Sequence, residues 1–473
     1  MRILCSILVL LCAISAGADV IHLKNGRTIW ADRVREDKNK DRVEYDIGED
    51  TYAIPKSSVE RIDTGGPAPK PKPSGSAQSP AVPDFSPTAP TFGHEGDIAL
   101  KIVHDGKVDT DALEGLKRTG NPALAAAAYF LAGKYESDHG NFPQASRYYD
   151  SALRFQSDNA TLLIYYAAAL MRTGQAAQAL PYAERAVRIA PESPDTLAML
   201  GFVQFAGDHT ADAIRWWKKS LALRPDATVS QYLEKAERES NVEAEFSQRE
   251  SSHFNLHFEG KDTSERFRSE MLSALDSDFE DLVRDLGYSP HNNIAVTLYT
   301  QQAFFDVTQA PSWSGAINDG KLRIPVNGVT SITPELARVL KHELTHSFVA
   351  QITGNRCPTW LNEGIAQMEE GKSIDPNGPT LAQMFAANAE IPYNMLEGSF
   401  MSFSGNQARV AYAESLAAAE YIRDTYGMGE IQQILTRLGQ GSSTEAALRA
   451  TVHSDYRQLL DDMARWLGET YGR

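Results

Sequence analysis

His342-Glu343-Leu344-Thr345-His346 lies inside a run, Glu335 to Val349, that reads as one helix, with Thr333 to cap it and Pro334 as its first residue. Residues four apart stand one turn apart on one face, so both imidazoles can reach a single metal ion. Glu343 projects beside them, placed to take a proton from an attacking water. A hydrolytic metal site also needs a third protein ligand and a fourth position left to water or substrate. Trp360-Leu361-Asn362-Glu363-Gly364-Ile365-Ala366 offers the third, with Glu363 seventeen residues after His346. Pro358 opens this second helix, and Gly364 and Ala366 are small enough to let it pack closely on the first. The expectation is a compact cluster of two histidines and one glutamate between two helices.

On these residues the region of roughly 252–473 resembles the gluzincin-type zinc peptidases of the peptidase MA-like group. The resemblance implies an α+β zincin-like domain that holds one zinc ion through His342, His346 and Glu363, with Glu343 as general base in peptide hydrolysis. It also implies an oxyanion partner. Tyr412 stands where similar proteins carry a tyrosine on a downstream helix, and it reads equally well as a residue that packs that helix. Glu369 and Glu370 are candidates to orient the imidazoles, or members of a solvated helix face. Gly315-Ala316-Ile317-Asn318-Asp319 begins 27 residues ahead of His342, near where gluzincin aminopeptidases hold Gly-x-Met-Glu-Asn. Asn318 replaces the glutamate that would grip a free N-terminus, which favours cleavage within chains. Cys357 could close the site as a fourth ligand, but two histidines, a glutamate and water are the usual catalytic set, so it reads as an inert thiol.

The rest of this region reads as three strands and several helices. His253 to Phe258 alternates, Ser264 to Leu286 is an amphipathic helix, and Ile294 to Tyr299 is a second strand. Lys321 to Val326 is a third, entered through an Asn318-Asp319-Gly320 turn. We expect this third strand to be the sheet edge to which an extended substrate adds, since proline is confined to edges and Pro325 lies within it. His253 and His257 read as structural. After Pro334 the chain should be mainly helical.

Upstream the sequence repeats itself. Gly133, Ala167 and Gly201 are 34 residues apart, as are Ala145, Ala179 and Ala213, then Ala152, Ala186 and Ser220, then Ser157, Pro191 and Pro225. That period, with small residues where two helices cross, is the tetratricopeptide pattern, an all-α solenoid that binds proteins. Exported bacterial members of the peptidase group often carry such repeats. The array is expected over 97–251, with three repeats at about 126–227, a helix within Asp97–Gly120 ahead and a polar capping helix around Ser230–Ser251. Trp216, Trp217, Tyr148 and Tyr149 read as packing between repeats.

The N-terminal part has three pieces. Residues 1–18 read as a secretory signal: Arg2, an apolar run Ile3 to Ile14, and Ala16-Gly17-Ala18 as a cleavage site. Residues 19–64 carry four or five short strands, including an Asn25-Gly26 hairpin signal, and suit a small all-β SH3-like barrel. His22 reads there as an ordinary strand residue. Residues 65–92 hold eight of the chain's 23 prolines and form a linker.

Composition limits what this assembly does. The 473 residues carry 46 Lys+Arg against 62 Asp+Glu, a net charge of −16 that disfavours nucleic acid or anionic membrane as a partner. Three cysteines, two of them inside the signal, exclude a disulfide scaffold. No later stretch approaches the ~18 apolar residues of a transmembrane helix. The sequence therefore reads as a periplasmic or secreted zinc metallopeptidase, an endopeptidase acting on peptide or protein substrates, with repeats that bind a protein partner. The alternative is a catalytically weak or inactive peptidase-like scaffold.

Overall fold

The computed structural model describes residues 17–24, 28–31, 33–37, 42–47, 50–67, 87–88, 101–104, 106–259, 263–291, 293–308, 316–326, 331–400, 403 and 405–472. Most of the signal (1–16), the Asn25-Gly26 turn, Gly315 and most of the linker lie outside these residues. Among the described residues no helix is long and apolar enough to cross a membrane.

The N-terminal segment forms two three-stranded antiparallel sheets. One orders Thr28–Ala31, Gly17–Leu23 and Val59–Pro67; the other orders Arg33–Asp37, Arg42–Ile47 and Asp50–Pro55. Ile21 pairs with Ile29 across the first hairpin. His22 bonds Asp63 across the neighbouring strand at 2.8 Å. The last strand runs to Pro67, three residues into the stretch expected to be linker from 65.

The repeat array is three helix pairs: Pro122–Asp138 with Phe142–Phe155, Ala160–Arg172 with Ala176–Ile189, and Pro194–Ala206 with Thr210–Leu223. Helix Thr110–Arg118 precedes them and Ala227–Glu243 follows. The period explains the aromatics. Tyr149, Ala183 and Trp217 occupy one repeat position and face Gly133, Ala167 and Gly201 at another. A Cβ on Gly133 would stand 2.7 Å from the Tyr149 ring, and one on Gly201 2.4 Å from Trp217. Both rings are fully buried, so each large ring fills the space its glycine leaves. Tyr148 is buried against Tyr129, while Trp216 lies under the cations of Arg215 and Lys219.

The C-terminal domain opens on a five-stranded mixed sheet in the order Ile317–Asn318, Leu322–Pro325, Ile294–Tyr299, Phe254–Phe258, Ser247–Glu250. The three central strands are parallel and both outer ones antiparallel. Two sequence expectations are corrected here. Ser247–Glu250 is a strand of this sheet, so the capping helix stops at Glu243 and the domain starts before 252. Leu322–Pro325 is not the edge, because the Asn318-Asp319-Gly320 turn folds Ile317 and Asn318 back onto Arg323 and Leu322. Helix Glu265–Leu286 links the first two parallel strands, and its Phe267, Met271, Leu275, Phe279 and Leu282 fill the core beneath them. The remainder is helical: Pro334–Thr353, Thr359–Glu369, Gly378–Ala386, Gly405–Tyr426, Met428–Gly439, Thr444–Thr451 and Tyr456–Tyr471.

Candidate metal centre

Helix Pro334–Thr353 starts as its sequence demands, with Thr333 Oγ1 accepting the Leu336 N–H at 3.1 Å and proline first. Leu340, Leu344 and Phe348 bury the opposite stripe in the core, which turns His342 and His346 toward helix Thr359–Glu369. Glu363, 6% exposed, meets them there. One ligand atom from each of His342, His346 and Glu363 lies within 4.8 Å of the others. The two Nε2 atoms are 3.2 Å apart, and Glu363 Oε2 is 3.5 Å from the first and 3.8 Å from the second.

The far side of each imidazole is held. His342 Nδ1 lies 3.2 Å from Glu370 Oε1, and His346 Nδ1 lies 3.0 Å from Asn362 Oδ1. With Nδ1–H donating to those oxygens, both Nε2 lone pairs are directed into the cluster. Of the two candidates left open by the sequence, Glu370 is the one that reaches a histidine. Glu369 instead turns to Lys341 at 3.9 Å, and burial pushes its carboxyl up to about 7. Asn362 was missed as an orienting residue, although it stands beside Glu363 in the motif and its amide oxygen was the available signal.

The electrostatics favour a cation. Burial works against a charged His342, yet Glu363 and Glu370 outweigh it and raise the group to about 10. Burial likewise opposes ionised Glu363, and the neighbouring His346 and His342 overcome it and lower its pKa. Glu363 Oε2 is nonetheless a buried oxygen with no hydrogen-bond donor among the described residues. Three convergent donors of nitrogen and carboxylate type, one an orphaned oxygen, fit a divalent ion such as zinc.

Glu343 stands between the two histidines on the same helix, and burial raises its carboxyl pKa against the pull of His346 and His342. Tyr412 is half-buried on helix Gly405–Tyr426, edge-on to Phe400. Its hydroxyl is driven far above its ordinary value first by the charge of Glu363, then by burial, then by Glu343. Cys357 packs half-buried against the core and is not in the donor cluster; burial holds it as a thiol. His253 bonds Asp276 at 3.2 Å and stacks on Phe279, as a structural residue would.

Asn318 has a different part from the one its alignment with the aminopeptidase motif suggests. Its Nδ2 donates to the Glu343 carbonyl at 2.7 Å and to Ser347 Oγ at 2.6 Å, tying the sheet edge to the helix that carries both histidines. Gly364 also corrects an expectation: a Cβ there would stand 2.2 Å from the Ser415 carbonyl oxygen, so the small residue admits helix Gly405–Tyr426, not the histidine helix.

Residues 276–469 match the family model of the Peptidase MA superfamily. The C-terminal region carries a Peptidase MA superfamily domain. Residues 160–203 match a tetratricopeptide repeat. No curated protein matches the chain. Two solved structures align over 32% of this chain and 88% of their own: a "MamA RS-1 ArsTM double mutant" (19% identity, TM-score 0.27) and "MamA 41-end from Desulfovibrio magneticus RS-1" (17%, 0.24). Peptidase-like domain and repeats together make a peptidase-like protein with protein-interaction repeats.

Proposed function

We propose that the chain is a zinc metallopeptidase of the gluzincin type that cleaves within polypeptides. The carrying observation is the convergence of His342, His346 and Glu363, with the Glu363 oxygen left without a donor. An ion held by these three residues would supply a Lewis acid that polarises a scissile carbonyl and acidifies a water. Glu343 takes the proton of that water on its carboxylate and hands it to the leaving amine nitrogen. Its raised pKa suits both transfers, since the same group must accept and then release. Tyr412, kept as the neutral phenol, is the donor we assign to the oxygen where negative charge develops. Asn318, engaged with the active-site helix, offers no carboxylate to a free N-terminus, which supports cleavage inside chains.

The test has two levels. Purified protein should contain one zinc per chain, lost in His346→Ala. Glu343→Gln should keep its zinc and lose cleavage of an unfolded protein substrate by at least about 10²-fold. Equal cleavage by both proteins rejects the assignment, and zinc without activity in the wild type leaves the weak or inactive scaffold.

Export and the SH3-like barrel remain part of the proposal. The sequence of residues 1–18 supports a cleaved signal, and N-terminal sequencing of the mature chain should begin at Asp19; a chain retaining Met1 overturns it.

A further inference from the structure

Pro87 and Thr88 are the described residues of the proline-rich segment's later half, and they lie against the second and third repeats. The Tyr165 hydroxyl donates to the Pro87 carbonyl at 2.9 Å, and the Thr88 N–H donates to Asp195 Oδ2 at 3.0 Å. These are the two polar groups of one peptide unit, which point to opposite sides of a trans bond. The repeats therefore clamp a single peptide bond from both sides. Arg224 completes the contact: it pairs with Asp195 and lies 3.4 Å from Thr88 Oγ1. Pro87 is buried and Asp195 only 6% exposed.

The repeat framework does not require these side chains. A step of 34 residues places Leu131 and Met199 at the position of Tyr165, and Ala127 and Thr161 at that of Asp195. Neither Leu131 nor Met199 carries a hydroxyl, and neither Ala127 nor Thr161 a carboxylate. A buried carboxylate with one oxygen turned to a main-chain N–H is a built acceptor, since leaving it unmatched is costly.

We infer that Tyr165, Asp195 and Arg224 form a binding site for an extended, proline-containing peptide, and that the chain's own Pro87-Thr88 fills it in cis. The site reads main chain at the clamped bond, takes proline in the buried position, and accepts a small hydroxyl residue after it. Tethering gives the chain's own segment an effective concentration in the millimolar range. A partner protein with a proline-threonine or proline-serine stretch must therefore displace Pro87 and Thr88, which compete with it for the same three side chains. None of this depends on the peptidase reading.

The test uses the full chain and a fluorescent synthetic peptide of residues 80–95, read by anisotropy. Thr88→Pro in the chain removes the clamped N–H and hydroxyl while leaving both hydrophobic cores untouched. The peptide should bind Thr88→Pro about fivefold or more tighter than wild type, and adding Tyr165→Phe should reverse most of that gain. Equal affinity for wild type and Thr88→Pro, or indifference to Tyr165→Phe, overturns the inference. A second readout leaves the linker sequence intact: chymotrypsin cleavage after Phe85 should be several-fold faster in Tyr165→Phe than in wild type, and an unchanged rate is equally fatal.

Discussion

Asn362 and Glu370 fix which way the two imidazoles face, and that direction makes the cluster a ligand set. If each holds its histidine through Nδ1, Asn362→Ala and Glu370→Gln should each weaken zinc binding about 10- to 100-fold, measured by competition with a chromophoric chelator. Unchanged affinity in both would mean the rings are oriented by packing alone. The ligands themselves were legible because helical spacing is a local property: His342 and His346 share a face whatever surrounds them. Glu370 was not separable from Glu369 on the same grounds. Adjacent helical residues differ by about 100° in direction, and only the position of the neighbouring helix decides which one points at His342 and which at Lys341.

The helices Thr359–Glu369 and Gly405–Tyr426 are the pair that sets the depth of the site, through Gly364. Any side chain there collides with main chain, the Ser415 carbonyl, which cannot rotate away. Gly364→Ala should therefore destabilise the domain by about 1–3 kcal/mol and move Tyr412 relative to Glu363. Gly468→Ala is the matched control: it lies within helix Tyr456–Tyr471 with open space around the added methyl, and should be neutral or stabilising by up to about 1 kcal/mol. Thermal melts of the two variants decide the point, and similar melting temperatures would refute the close approach. A small residue in sequence announces that something comes near without saying what. Sequence proximity favours the histidine helix just before it, and the true neighbour begins some forty residues after Gly364. The sheet edge failed for a related reason: the turn at Asn318–Gly320 was legible, but not that the two residues before it would pair back.

Across the molecule, the repeats announced themselves through a 34-residue period, whereas their attachment to the C-terminal domain had no pattern to read. That attachment is a buried ionic cluster. Glu239, from the capping helix, is fully buried and pairs with Lys321, at 2.5 Å, and Arg323, at 3.0 Å. Lys321 also meets Asp208 at 2.7 Å, Asp208 meets His257 at 2.5 Å, and Asp319 bridges Lys235 and Arg323 at 2.9 and 3.0 Å. Glu243, pushed up by burial and by Glu239, shares a hydrogen bond with Tyr299. Glu239 and Lys321 stand 82 positions apart in sequence, so no spacing rule connects them. Removing one member should cost far more than the pairing itself contributes, because the remaining charges stay buried. Glu239→Gln should lower stability by about 3–5 kcal/mol at pH 7. Its pH dependence follows from sign. Burial opposes the charge on Glu239, but Arg323 and Lys321 overcome it, so its folded pKa lies below the unfolded value of about 4.3. A depressed carboxylate stabilises the folded state above its unfolded pKa and loses that contribution as pH falls toward the folded one. The gap between wild type and Glu239→Gln in denaturant unfolding should therefore be constant from pH 7 down to about 5 and shrink below about 4. A gap that stays flat to pH 3, or widens, would mean that Glu239 acts through shape and not through its charge.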